Sequence, residues 1–170
     1  RRRAGLAVAI EPGAFHPFSE THMQAAFGID DDDASRGIAV QGVEGGIVPS
    51  VTRRTRGIEI SEKHVVPMNV EPEDFGMLCG EEPDMPTFGP PPEGKGTGDD
   101  PALMKACGDV TLAVLAGAGG PARNATLLAA ALALKACGRA YTLAEGIDQA
   151  ARSLDSGAAT GVLERLRALN

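Results

Sequence analysis

The residues best suited to chemistry are three arginines set close together, Arg53, Arg54 and Arg56, with Thr52 and Thr55 among them. A guanidinium is a planar fork of donors that matches a phosphate two bonds at a time, so such a cluster can grip phosphates of a nucleic acid or of a substrate. The competing reading is a solvated arginine loop. Gly96-Thr97-Gly98-Asp99-Asp100 imitates a phosphate-cradling glycine loop, but it leaves a proline-rich stretch instead of a buried strand. Asp99 and Asp100 would also repel phosphate, so the segment reads as linker plus helix cap. The run Asp30 to Asp33 reads as a solvated loop or helix start. Cys79, Cys107 and Cys137 form no CxxC pair and no even disulfide set, which points to a reducing cytoplasm. Cys107 and Cys137 lie among apolar helical residues and are expected to be inert core thiols.

The elements that would position these residues differ between the two halves of the chain. In the first, Gly37-Ile38-Ala39-Val40-Gln41 reads as a short buried strand ended by Gly42. Gly57-Ile58-Glu59-Ile60 and His64-Val65-Val66 read as two more, with Ser61-Glu62-Lys63 turning between them. Residues 80–99 hold Pro83, Pro86, Pro90, Pro91 and Pro92 among several glycines, and predict a long surface loop.

The second half is nearly continuous helix signal. Asp100 caps a helix begun by Pro101, with Leu103, Cys107, Val110 and Val114 on one face and Gly117 to Gly120 ending it. Pro121 starts a second helix, apolar nearly all round from Leu127 to Leu134 and closed by Gly138. Thr142 and Glu145 form a capping box for a third, and Ser156 caps a fourth that carries Val162, Leu163 and Leu166. The fold class is therefore α/β, short strands followed by a helical layer.

Composition narrows the function classes. The chain has 170 residues, 43% hydrophobic and 23% charged, which is globular and not disordered. A net charge of −7 gives no general attraction to nucleic acid or anionic lipid. The absence of tryptophan argues against an aromatic base-stacking platform. The apolar run from Ala125 to Leu134 is half of the roughly 20 residues that a membrane span needs, so no membrane partner is expected. Arg1 to Arg3 before Ala4 to Ile10 faintly imitates a signal peptide, but the apolar part is short and ends in Glu11-Pro12. The sequence opens on arginines with no initiator methionine, and a piece of a longer protein is expected.

Gly120-Pro121-Ala122-Arg123-Asn124-Ala125-Thr126-Leu127-Leu128, then Ala144-Glu145-Gly146, then Asp155-Ser156-Gly157-Ala158 stand in the order seen at the C-terminal end of the anthranilate phosphoribosyltransferase family, which these motifs resemble. Upstream, Glu71-Pro72-Glu73-Asp74-Phe75-Gly76-Met77 is similar to that family's Pro-Glu-Asp-Phe-Gly segment. His16-Pro17-Phe18-Ser19-Glu20-Thr21 and Gly42-Val43-Glu44-Gly45-Gly46 resemble the family's divergent paralogues, some of which bind nucleic acid. The resemblance implies the C-terminal half of a nucleoside phosphorylase/phosphoribosyltransferase-like α/β domain. Residues 1–20 would be a remnant of the interdomain or small helical segment, and 21–170 the second half of the α/β domain. A homodimer is implied for the full-length protein.

The implied activity is transfer of a phosphoribosyl group from phosphoribosyl diphosphate to an aromatic acceptor, with Mg2+ neutralising diphosphate charge. The alternative is a protein of the same fold that binds single-stranded nucleic acid. By resemblance, Arg1 would line the acceptor pocket and bond a carboxylate, although an exposed terminal arginine is an equal reading. His16 replaces a family asparagine and would line the interdomain cleft, or stand in a loop with no ligand role. Glu44 falls where the family carries an adjacent Asp-Glu pair that binds Mg2+. A single Glu among glycines is a poor Mg2+ site without substrate phosphates, so a solvated turn stands beside the metal reading. The family's glycine-rich diphosphate loop precedes the matched segment, so residues 1–170 alone are expected to show no turnover.

Overall fold

The computed structural model describes residues 36–40, 49–61, 64–84 and 101–169. Three strands form an antiparallel sheet in the order β1-β2-β3: β1 (Arg36–Val40), β2 (Thr55–Ser61) and β3 (His64–Val70). Val40 pairs with Gly57 and Ile38 with Glu59, while β2 and β3 form a hairpin from Thr55 opposite Val70 to Ser61 opposite His64. Gly57 is required where β1 and β2 approach most closely. A Cβ there would stand 2.3 Å from the Ala39 carbonyl oxygen and 2.8 Å from Val40 Cγ1.

Both hairpin strands run longer than their apolar cores suggest. β3 passes through Pro67, opposite Ile58, and ends at Val70. A proline has no N–H to give to a ladder, and it is tolerated here because β3 has one neighbouring strand, β2, among the described residues. The strand is exposed from His64 to Pro67, half-buried at Met68 and buried at Val70, so its last residues hold it to the core. A 3₁₀ turn (Pro72–Phe75) follows, closed by Gly76 at φ 65°.

Four helices complete the described fold: α1 (Pro101–Leu115), α2 (Pro121–Ala136), α3 (Leu143–Asp155) and α4 (Ala158–Arg167). α2 is the central one. Ala125, Leu127, Leu128, Ala131, Leu132 and Ala136 are buried, in one core with Ile38 and Val40 of β1, Val51, Val70, and Ile147, Ala150 and Leu154 of α3. Leu128 is fully buried, and truncating such a leucine costs about 2–5 kcal/mol. Two ion pairs attach α2 to its neighbours: Lys135 with Glu59 of β2, and Arg123 Nη2 with Asp155 Oδ1 of α3 at 2.7 Å.

The caps confirm some expectations and correct others. Glu145 N donates to Thr142 Oγ1 at 3.1 Å, and the Glu145 carboxylate accepts from Tyr141 N at 2.9 Å, so the box closes one residue before the cap. Ser156 does not cap α4. It ends α3, and Gly157, at φ 74°, opens α4, because a reversal of two residues needs a left-handed backbone. Cys137 is not a core thiol: it lies at the C-cap of α2 and is exposed, while Cys107 is half-buried. Val162 and Leu166 of α4 are also exposed. Asp100, the Asp30 to Asp33 run and the Gly96 to Gly98 segment lie outside the described residues.

The tightest helix contact is between α2 and α3. A Cβ on Gly146 would meet Ala131 Cα at 2.9 Å and its carbonyl oxygen at 3.0 Å, so the two backbones touch. Gly146→Val is expected to destabilise the fold by about 3 kcal/mol through overpacking, read as a fall in Tm. Gly161→Ala in α4, where the nearest atom is Arg165 Nη1 at 3.7 Å, should raise stability by roughly 0.5–1 kcal/mol.

Candidate functional site

The most elaborate polar arrangement in the described residues is built on the loop that leads into β2. Ser50 N donates to Thr55 Oγ1 at 3.0 Å, while Thr52 N and Arg53 N donate to Ser50 Oγ at 3.2 and 3.0 Å. These bonds close the loop on itself and leave its hydroxyls and the Val51 amide facing one carboxylate, that of Glu82. Glu82 Oε1 accepts from Ser50 Oγ and, at 2.6 Å, from Thr52 Oγ1; its Oε2 accepts from Val51 N at 3.1 Å. Burial acts to raise the Glu82 pKa. The hydroxyls of Ser50 and Thr52 and the amides of Val51 and Thr52 oppose it, and the net result lies below the ordinary carboxylate value.

The segment that carries Glu82 is also tied to the helical layer. Cys79 N donates to Val51 O at 2.8 Å, and Asn124 Nδ2 on the first turn of α2 donates to Met77 O at 3.1 Å and Cys79 Sγ at 3.3 Å. Next to Glu82, Pro83 forms one wall of an apolar groove of about 460 Å³ between α1 and α2. Val110, Val114, Ala125 and Ala129 make the facing walls.

The arginine cluster is split by the fold. Arg53, Arg54 and Arg56 are all exposed, but Arg54 Nε donates to the Glu71 carboxylate, which occupies that charge. Arg1, His16 and Glu44 lie outside the described residues. Among the described residues no three His, Cys, Asp or Glu side chains come together to hold a metal ion. No described helix is long and apolar enough to cross a membrane. Sequence reasoning missed Ser50, Glu82 and the contact of Thr52 with Glu82, since no spacing rule links residues 30 positions apart across two strands and a turn.

The order of the sheet, the turn after β3 and the four helices is also found in known proteins. No family model matches the sequence. The anthranilate phosphoribosyltransferase of Geobacter sulfurreducens is 36% identical over 131 residues, covering 77% of this chain and 33% of that enzyme. That of Trichlorobacter lovleyi is 38% identical over 135 residues, or 79% of this chain and 34% of the enzyme. The crystal structure of the Thermus thermophilus enzyme matches with a TM-score of 0.54 at 27% identity, over 76% of this chain and 34% of that one. Over this length the chain is similar to the C-terminal part of the anthranilate phosphoribosyltransferase family. It spans about a third of the length of these relatives. The α/β architecture of that family is what the small sheet and four helices represent.

Glu82 makes the stability of this protein depend on pH. Its folded pKa is lowered, so its contribution is complete above the ordinary value of about 4.5 and disappears as pH falls through the folded value. Glu82→Gln should therefore be less stable than the parent at pH 7, and the gap should close in acid. Chemical denaturation of both proteins between pH 7 and pH 3 measures it; a gap that stays constant would show that the carboxylate charge contributes nothing.

Proposed function

We propose that these residues contribute to a phosphoribosyltransferase-type glycosyl transfer, as the C-terminal part of the domain that performs it. The observation that carries this reading is the match to anthranilate phosphoribosyltransferases over more than three quarters of the chain, joined to the likeness of fold. In such a transfer an acceptor nitrogen bonds to C1 of the ribose, diphosphate leaves with the electron pair, and the nitrogen loses a proton. Catalysis of this kind consists mainly of alignment and charge stabilisation.

In this reading the substrates are phosphoribosyl diphosphate and an aromatic amine. Arg1 would bond an acceptor carboxylate, and His16 would line the cleft. Mg2+ supplies neutralisation of the diphosphate charge when bound, and Glu44 is the residue proposed to meet it. In this reading the described residues support the domain behind the reacting groups. Residues 1–20 are assigned to the interdomain segment and 21–170 to the second half of the α/β domain, in a homodimer in the cytoplasm. Nothing in the described fold favours the single-stranded nucleic-acid alternative. Arg54 is engaged by Glu71, and the net charge of −7 opposes a polyanion.

A chimera tests this reading. Residues 36–169 would replace the matching C-terminal segment of the Thermus thermophilus enzyme, and loss of anthranilate fluorescence would be followed with phosphoribosyl diphosphate and Mg2+. The expected result is turnover that is reduced but measurable and is abolished by removal of Mg2+. A chimera that folds, binds phosphoribosyl diphosphate and shows no turnover would contradict it.

A further inference from the structure

The loop that receives Glu82 is held in shape by its own bonds. Ser50 and Thr55 are buried, and the Ser50 amide donates to Thr55 Oγ1 at 3.0 Å. The amides of Thr52 and Arg53 donate to Ser50 Oγ at 3.2 and 3.0 Å. All of these bonds lie within residues 50–55, so the Ser50 and Thr52 hydroxyls and the Val51 amide form a donor set that does not need Glu82 to organise it. That set holds an oxyanion: the Glu82 carboxylate accepts from both hydroxyls on Oε1 and from the amide on Oε2. Arg53, on the same loop, is exposed and makes no ion pair among the described residues. Residues 80–84 bring the carboxylate in, and among the described residues the Glu82 side chain makes every hydrogen bond that holds that stretch. Two more carboxylates, Glu81 and Asp84, stand exposed on it.

We propose that the Ser50–Arg53 loop is a binding site for a small phosphate monoester, and that Glu82 occupies it as an internal stand-in. The carboxylate serves three donors with two oxygens and a single charge. A monoester brings three free oxygens and close to two charges, so it meets the same donors and has an oxygen and a charge left for Arg53. A phosphodiester, as in nucleic acid or a phospholipid, has two free oxygens and one charge, and gains nothing over the carboxylate already seated. When a monoester displaces Glu82, Glu81 and Asp84 leave on the same stretch. The loop and the start of β2 then keep Arg53 and Arg56 as unbalanced positive charges, with Arg54 on Glu71. This site does not rest on the glycosyl-transfer reading, and its test uses neither substrate of that reaction.

The isotope-labelled full chain is titrated with methyl phosphate, and with dimethyl phosphate as the diester control, while the Val51 amide resonance is followed. Glu82→Ala and Glu82→Gln free the site in two ways, and thermal melting checks that each variant folds. While Glu82 is seated the site is open for only a fraction of the time, and apparent affinity falls by that fraction. Glu82→Ala should therefore bind methyl phosphate about tenfold more tightly than the parent, with a saturable shift at Val51. Adding Arg53→Ala should remove most of that gain, and dimethyl phosphate should bind more weakly than the monoester. No saturable Val51 shift in a cooperatively melting Glu82 variant would overturn the proposal. So would equal binding of the diester, or binding that Arg53→Ala leaves unchanged, since neither fits a dianion held by the loop and its arginine. Loss of the cooperative melt in both Glu82 variants would overturn it too, because the carboxylate would then be part of the fold and not a displaceable occupant.

Discussion

The rest of the described fold depends on the burial of α2. Its alanines and leucines leave little polar surface, so the helix is stable only when several elements cover it together. β1 covers one side, α3 another, and α1 lies along a third. The closest of these contacts is made by the absence of a side chain: Gly146 lets α3 rest against the Ala131 backbone. Small residues on both helices thus replace interlocking large ones, and packing is won by proximity.

Polar contacts then fix the orientation of what burial has brought together. Lys135 and Arg123, near opposite ends of α2, reach β2 and α3, and Asn124 reaches the chain after the 3₁₀ turn. An ion pair with an exposed partner, such as Asp155, adds little stability, about 0–1 kcal/mol, so its value here is in register more than in energy. The Ser50–Thr55 loop works differently. Its donors converge on a charged acceptor, and hydrogen bonds to a charge are roughly twice as strong as neutral ones.

Much of this is legible in the sequence, for identifiable reasons. Helix punctuation is local: Pro121 starts α2, and the Thr142-Glu145 pair starts α3, because capping is settled within one turn of chain. Strand length is harder to read, since β3 continues through Pro67 at the edge of the described sheet, and edges are a property of the assembled sheet. Ser156 and Cys137 mislead for a related reason. Their types suit a cap and a core, yet a neighbouring glycine and the end of a helix decide their places. The Glu82 contact is invisible in the sequence because it joins segments with no shared periodicity. Arg54 can be picked out as a charge, but its engagement by Glu71 emerges only when β2 is set beside the chain that follows β3.

The central claim is that α2 is the pillar of the described fold, held by backbone contact with α3. Nuclear Overhauser spectroscopy on the isotope-labelled chain tests it most directly, through the cross-peak between the Hα protons of Ala131 and Gly146. A strong cross-peak, accompanied by others joining Leu128 to β1, is the predicted result. A folded chain with helical shifts for both segments and no Ala131–Gly146 cross-peak would contradict the account.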